Sequence, residues 1–279
     1  PRERPHDRGA RAVRGGLARL AAAWIVSGGC ACNVAPRPSS PPAPREVVTA
    51  AQPESQAPRC ELERRAPTLV DAAALTALRD LARGTDTDAL LVLEDGHVIL
   101  ELGEIDRRFE LMSVTKSIVS LAVGILVDDG LLDLDQPVAD FIPAWRGTPK
   151  EVILVRHVLE HSTGLEDERT TEKIYASPDF VELAVNTEAK APPGTTFFYS
   201  NRAVNLLARV VEVASGERLD VWAGRRLFAP LGISDFGWSR DKAGNPHAMS
   251  GLQMRPLDVA KLGQLVLDEG RWCGAEVVS

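Results

Sequence analysis

Ser113-Val-Thr-Lys-Ser-Ile-Val-Ser-Leu-Ala-Val-Gly-Ile-Leu-Val127, closed by Asp128-Asp-Gly130, is the stretch on which the fold of this chain turns. Val114, Ile118, Leu121, Ala122, Ile125 and Leu126 recur at three- and four-residue spacing, which predicts a helix over 114–127 that stops at Asp128-Asp129-Gly130. Ser113 then stands at the helix N-terminus and Lys116 one turn later on the same face, so the amine reaches the hydroxyl. The helix end adds positive potential and unpaired N–H groups, which stabilise the oxyanion formed when a serine attacks an acyl carbon. Taken alone, S-x-x-K is a common pattern in a chain with 15 Ser and six Lys, and a helix N-cap role for Ser113 is the alternative.

Upstream of this helix, Ala89–Glu94 and His97–Leu102 read as apolar strands joined by Asp95-Gly96, a strong hairpin signal. Before them Leu69, Ala72, Leu75, Leu78 and Leu81 fall at three-residue steps, predicting a helix over 69–83 with one apolar face. A helix followed by antiparallel strands predicts an α+β domain. Downstream, the turn Pro192-Pro-Gly194 leads to Tyr199-Ser-Asn201, and a helix is expected from about Asn201 to Ser215 with Gly216 as its stop. With two Tyr and five Asn in the chain, Y-x-N is the more informative match. A phenol beside a Lys ammonium has its pKa pulled down from about 10 and can exchange a proton with a serine and a leaving group. Asn201 reads both as an N-cap and as a site residue.

The chain has 279 residues, 44% apolar and 25% charged, which fits one large or two small globular domains and excludes collagen-like, coiled-coil and wholly disordered classes. Residues 1–59 carry a net +5 and residues 60–279 a net −12, and an acidic body argues against nucleic acid as partner. Arg8, Arg11, Arg14 and Arg19 precede the apolar run Leu20–Val26, too short to span a bilayer and suited to the core of a signal peptide. Ser27-Gly-Gly-Cys30 resembles a bacterial lipobox with Ser27 in place of the usual Leu, so lipidation of Cys30 and simple cleavage stand as alternatives. Seven Pro in residues 36–58 make a linker that packs as neither helix nor sheet. The expected organisation is a leader segment over 1–32, a Pro-rich linker over 33–59 and a folded domain over 60–279. The destination is secreted, periplasmic or envelope-associated, with membrane contact only through an N-terminal anchor on Cys30. Cys30, Cys32, Cys60 and Cys273 form no metal-ligand spacing. A Cys60–Cys273 disulfide is open to a chain folded in an oxidising compartment, and the sequence does not establish it.

Ser113-Val-Thr-Lys-Ser117, Val127-Asp-Asp-Gly-Leu-Leu-Asp-Leu-Asp-Gln-Pro-Val138, Arg156-His-Val-Leu-Glu-His-Ser-Thr-Gly-Leu165 and Pro192-Pro-Gly-Thr followed by Tyr199-Ser-Asn201, in this order, resemble the serine β-lactamase and penicillin-binding-protein superfamily. The resemblance runs from about residue 88 onward and is nearest the class C-like esterase and amidase branch. Gly244-Asn-Pro-His-Ala-Met-Ser-Gly-Leu252 and Pro256–Gln264 are similar to the 6-aminohexanoate-dimer hydrolases. It implies an α/β (α+β), β-lactamase/transpeptidase-like fold: an antiparallel sheet lobe with flanking helices and a mostly helical lobe, with the site between them. It also implies a serine hydrolase cleaving an amide or ester through an acyl-serine. Ser113 would be the nucleophile, Lys116 its activating neighbour, Tyr199 the base in attack and acid toward the leaving group, and Asn201 a contact to the substrate amide and to Lys116. No cofactor or metal is called for, and the partner is a small amide or ester: a β-lactam, D-amino peptide, linear oligoamide or simple ester. The E-x-x-L-N stretch of class A enzymes does not occur, so water activation would fall to Tyr199.

One family motif, K-T-G or H-x-G after the tyrosine motif, does not occur in these 279 residues, which is the reading of a C-terminally incomplete copy. It motivates a second reading, a non-catalytic envelope-tethered binding or sensor domain or an inactive remnant. His161-Ser-Thr-Gly164 superficially resembles that motif, precedes Tyr199, and is assigned a structural role. His157-Val-Leu-Glu-His161 also matches the H-x-x-E-H pattern of zinc peptidases, a remote alternative that needs both imidazoles on one helix face. Trp145, Trp222, Trp238 and Trp272 read as packing residues, with Trp145 or Trp238 as candidates to line an acyl pocket. Asp133 and Asp135 read as turn residues, and Glu166-Asp-Glu168 as a solvated loop.

Overall fold

The computed structural model describes residues 23–26, 60–167 and 170–279, the first of these as a strand. That strand, β1 (Ala23–Val26), pairs antiparallel with β2 (Ala89–Glu94), where the sequence predicts only a leader core. A strand edge offers a row of N–H and C=O groups, and β-branched and aromatic residues suit the pairing. The rest of the leader, the linker and Cys30 lie outside the described residues.

Helix α1 (Ala72–Arg83) is capped by Asp71, whose carboxylate accepts the Ala73 N–H at 3.1 Å. Its buried face is the predicted one only in part: Leu75 is buried and Leu78 packs beside it, Ala82 joins them, and Leu69 and Leu81 are 72% and 66% exposed. Steps of three fall short of the 3.6-residue turn, so such a series winds around the helix rather than staying on one side. Leu75 and Ala82 pack on Leu90, Val92 and Leu100 of β2 and β3 (His97–Gly103). The hairpin turns through Asp95 and Gly96, at φ of 48° and 74°, the left-handed pair that a two-residue turn of this kind requires. A bulge shifts the register between Val92 and Leu93.

A strap over residues 60–70 crosses this hairpin. Val98 N–H donates to Glu63 O at 2.8 Å and Arg65 N–H to Val98 O at 3.1 Å. The Glu94 carboxylate accepts from the N–H groups of Thr68, Leu69 and Val70, each at 2.8 Å, and from the Thr68 hydroxyl at 2.7 Å. These bonds, the Thr68 hydroxyl first among them, hold its pKa down at about 2. The strap begins at a Cys60–Cys273 disulfide with Cα atoms 6.2 Å apart, the pairing that the sequence left open.

Beyond β3 come β4 (Phe109–Glu110) and helix α2 (Val114–Asp128), whose Thr115, Ile118, Val119, Ala122, Val123, Ile125 and Leu126 are buried. Short helices follow: α3 (Val155–Leu159), α4 (Glu172–Ala176), α5 (Phe180–Val185), α6 (Asn201–Val204), α7 (Leu206–Ser215) and α8 (Leu219–Ala223). α2 packs against α7 and α8, and the Trp222 indole N–H reaches Ala122 O at 3.0 Å. Trp145 and Trp238 are 0% and 1% exposed and donate to Val185 O and His247 O, so both are core residues and neither lines a pocket. Asp133 accepts the Asp135 N–H at 2.8 Å, as its turn role predicts.

A second sheet has the order β4-β6-β5, with β5 at Phe236–Trp238 and β6 at Leu252–Met254. Leu111 N–H donates to Leu252 O at 2.8 Å, which ties the residues just before α2 to this sheet. Helix α9 (Pro256–Leu267) packs on β2, and the hairpin β7 (Arg271–Trp272) and β8 (Ala275–Glu276) carries Cys273 at its turn. The result is an antiparallel, helix-flanked sheet region beside a helical region, as the α+β expectation has it.

Candidate active site

Ser113 stands at the N-cap position of α2 with helical dihedrals, φ −69° and ψ −13°, but its side chain makes no capping bond, which leaves its hydroxyl to other partners. Its hydroxyl is exposed and stands between two proton carriers. Lys116 Nζ donates to Ser113 Oγ at 3.2 Å, and the Tyr199 hydroxyl donates to the same oxygen at 2.9 Å. Met112, immediately before it, holds a left-handed φ of 48°, an uncommon conformation for a long side chain and one that clusters at functional sites.

Lys116 is held by three acceptors. Besides Ser113 it donates to Asn201 Oδ1 and to Met249 O, each at 2.8 Å, and its Nζ lies 4.9 Å from the centre of the Tyr199 ring. Burial pushes its pKa below the ordinary lysine value of 10.5, with the Tyr199 hydroxyl acting in the opposite direction. The four residues singled out from sequence, Ser113, Lys116, Tyr199 and Asn201, therefore meet in one place, although Lys116 and Asn201 are 85 positions apart.

Asn201 is not the N-cap of the following helix. Ser200 is, its hydroxyl accepting the Ala203 N–H at 2.9 Å, which leaves the Asn201 amide to Lys116. The single helix predicted over 201–215 is broken between α6 and α7 at Asn205, whose side chain donates to Asn201 O at 3.2 Å and accepts the Met249 N–H at 3.3 Å. Asn205 thereby places both a neighbour of Tyr199 and the carbonyl that receives Lys116. Nothing local in the sequence signals this, because Met249 contributes only backbone.

Asp167 is the other residue that sequence reasoning missed. Its side chain is 1% exposed rather than solvated, and it accepts from the Ser200 hydroxyl and, at 3.0 Å, from the Arg202 N–H. The two histidines of H-x-x-E-H do not share a helix face: α3 ends at Leu159, and His161 lies beyond it at φ 55°. His157 Nδ1 accepts the Leu154 N–H at 3.1 Å, whereas His161 turns toward Tyr199. Among the described residues no group of three or more His, Cys, Asp or Glu is placed to hold a metal ion.

Antiparallel strands backed by helices, with Ser-x-x-Lys opening a buried helix against Tyr-x-Asn, define the β-lactamase/transpeptidase-like class of fold. The β-lactamase family model matches residues 68–274, and the chain belongs to that family. It is 28% identical over 218 residues to a 6-aminohexanoate-dimer hydrolase from Paenarthrobacter ureafaciens, an alignment covering 70% of this chain and 55% of that protein. It is 33% identical over 153 residues to the esterase EstB of Burkholderia gladioli, covering 48% of this chain and 39% of the esterase. The octameric penicillin-binding protein homologue from Pyrococcus abyssi shares the fold, with a TM-score of 0.62 at 23% identity over 75% of this chain and 58% of that one. The chain spans about half the length of the curated relatives it matches.

Proposed function

We propose that this protein is a serine hydrolase that cleaves an amide or ester through an acyl-Ser113 intermediate. The observation that carries the reading is the double contact on one hydroxyl, Lys116 Nζ at 3.2 Å and Tyr199 OH at 2.9 Å. Ser113 Oγ attacks the acyl carbon while its proton passes to the Lys116 and Tyr199 pair. Burial lowers the Lys116 pKa below the ordinary 10.5, so a larger share of the amine is neutral and able to receive that proton than in an exposed lysine. The developing oxyanion lies at the N-terminal end of α2, where the helix potential is positive. Collapse expels the leaving group, which receives the proton from Tyr199. Water then attacks the acyl carbon, delivering a proton to Tyr199; the acyl C–Oγ bond breaks, the acid is released, and Ser113 Oγ takes the proton back from Tyr199. Asn201 holds Lys116 and offers its amide N–H to the substrate carbonyl.

The relatives are named for an oligoamide hydrolase and an esterase, which supports an acyl group bound to nitrogen or oxygen as the substrate class. Secretion, with the folded domain in the periplasm or at the envelope, is proposed from the basic and apolar N-terminal pattern, with lipidation of Cys30 and simple cleavage as alternative fates of the leader. The Cys60–Cys273 disulfide supports an oxidising compartment. The test is hydrolysis of p-nitrophenyl acetate and of benzylpenicillin by the wild type, Ser113→Ala and Tyr199→Phe. Both variants are expected to lose most turnover, and wild-type rates in Ser113→Ala would remove the mechanism.

A further inference from the structure

Helix α3 closes in a Schellman-type turn: Ser162 N–H donates to His157 O at 2.8 Å, and His161 N–H to Val158 O at 3.3 Å. This puts His161 at the left-handed position that such turns reserve by preference for glycine, because a Cβ is crowded there. After α7 the same position is Gly216 at φ 75°, and after α9 it is Glu269 at φ 53°, so a side chain is tolerated there and its use is read from its contacts.

The use is visible on both sides of Tyr199. The His161 carbonyl accepts the Phe198 N–H at 2.8 Å, and its Nδ1 accepts the Ser200 N–H at 3.0 Å. Between those two bonds the imidazole stacks on the Tyr199 phenol, with ring centres 4.6 Å apart and planes 26° from parallel. Phe197 closes edge-on against the same imidazole at 5.9 Å. We infer that His161 is a positioning residue for Tyr199, acting as a neutral imidazole with its proton on Nε2: it sets the height and plane of the phenol so that its hydroxyl meets Ser113. The inference rests on the proposed role of Tyr199 as proton carrier.

Protonating Nδ1 removes the acceptor of the Ser200 N–H and so loosens the phenol. The charged and titratable groups facing the imidazole are Lys116 from α2, Asp167 from the loop after α3, and Tyr199 itself. Burial and then Lys116 push the His161 pKa below its ordinary 6.5, while Asp167 opposes them. The neutral form therefore prevails at pH 7, and phenol placement fails on the acid side.

The test uses the full chain. The 15N spectrum of the imidazoles, with the His161 signals identified by their loss in His161→Asn, should show the Nε2–H tautomer at pH 8. Acylation of Ser113 by p-nitrophenyl acetate is followed by intact mass. His161→Gly should melt no lower than wild type yet acylate about 10- to 100-fold more slowly, the order expected for a misplaced catalytic group. His161→Asn tolerates the left-handed backbone and presents Oδ1 where Nδ1 was, so it should recover most of the rate, keep the Lys116-dependent rise with pH, and lose the additional wild-type fall below pH 6.5. An Nδ1–H tautomer overturns the inference, as does His161→Gly acylating at the wild-type rate, or Asn proving as slow as Gly. Absence of acylation in the wild type would instead defeat the proposed function, and the tautomer alone would then decide the positioning of the phenol.

Discussion

Replacing Lys116 by Met keeps the length of an unbranched side chain and removes the one group that touches Ser113, Asn201 and Met249 together. Two acceptors, Asn201 Oδ1 and Met249 O, lose their donor, at about 1 kcal/mol each. Against that, an amine whose burial disfavours its charged form is no longer desolvated, so net stability should move by no more than about 2 kcal/mol. The kinetic effect is larger. General acid–base help of this kind is worth about 10²–10⁴ in rate, or roughly 3–5 kcal/mol of barrier. The pH dependence separates the two effects further. Because burial lowers the amine pKa, wild-type acylation should rise with pH to a midpoint below 10.5, and Lys116→Met should lack that rise. The assay is a pre-steady-state time course of p-nitrophenyl acetate acylation from pH 6 to 10, paired with urea unfolding. A Lys116→Met protein that unfolds like wild type and acylates within about twofold of it would refute the assignment of Lys116 as proton carrier.

Three further outcomes are expected. Cys60→Ser should lower stability by about 2–5 kcal/mol, because the disulfide spans 213 residues and cross-links of that kind restrict the unfolded chain; urea midpoints with and without reductant check it. Glu94 is ionised more readily in the folded state, at about 2 against its ordinary 4.5, so its contribution is complete above pH 4.5 and is lost as the pH falls toward 2. Glu94→Gln should therefore be clearly less stable than wild type at pH 7, with the gap narrowing at pH 3; a gap independent of pH would contradict the linkage. Trp222→Phe leaves the Ala122 carbonyl inside α2 without its indole donor and should cost about 1–3 kcal/mol without changing the acylation rate, measured by urea unfolding and by mass.

What could be read from sequence was what is local. Asp95-Gly96 specifies its own turn, and the apolar spacing of Val114 to Leu126 specifies a buried helix whatever surrounds it. Ser113 and Lys116 are brought together by one turn of that helix, so their contact needs no knowledge of the fold. Tyr199 and Asn201 stand out by the rarity of Y-x-N, and the resemblance, not periodicity, ties them to Ser113, since only tertiary packing closes the distance. The errors have the same cause in reverse. The cap passed from Asn201 to Ser200 because Lys116 takes the Asn201 amide, a competitor 85 positions away. The helix is interrupted at Asn205, whose side chain meets Met249 across the fold, a contact that no local pattern encodes. Asp167, between two other acids, reads as solvent-facing until Ser200 and Arg202 are placed over it. The sheet of β4, β6 and β5 is built from pieces two or three residues long, too short for any alternation to register.

The decisive measurement is the position of the acyl group on the chain. The full chain is exposed to p-nitrophenyl acetate and, separately, to benzylpenicillin, quenched in acid, and analysed by intact mass and peptide mapping. One adduct is expected, carried by the peptide containing Ser113 and absent from Ser113→Ala, with the faster reagent indicating the substrate class. A folded protein that forms no adduct with either reagent, or one whose adduct persists in Ser113→Ala, would contradict the acyl-Ser113 mechanism.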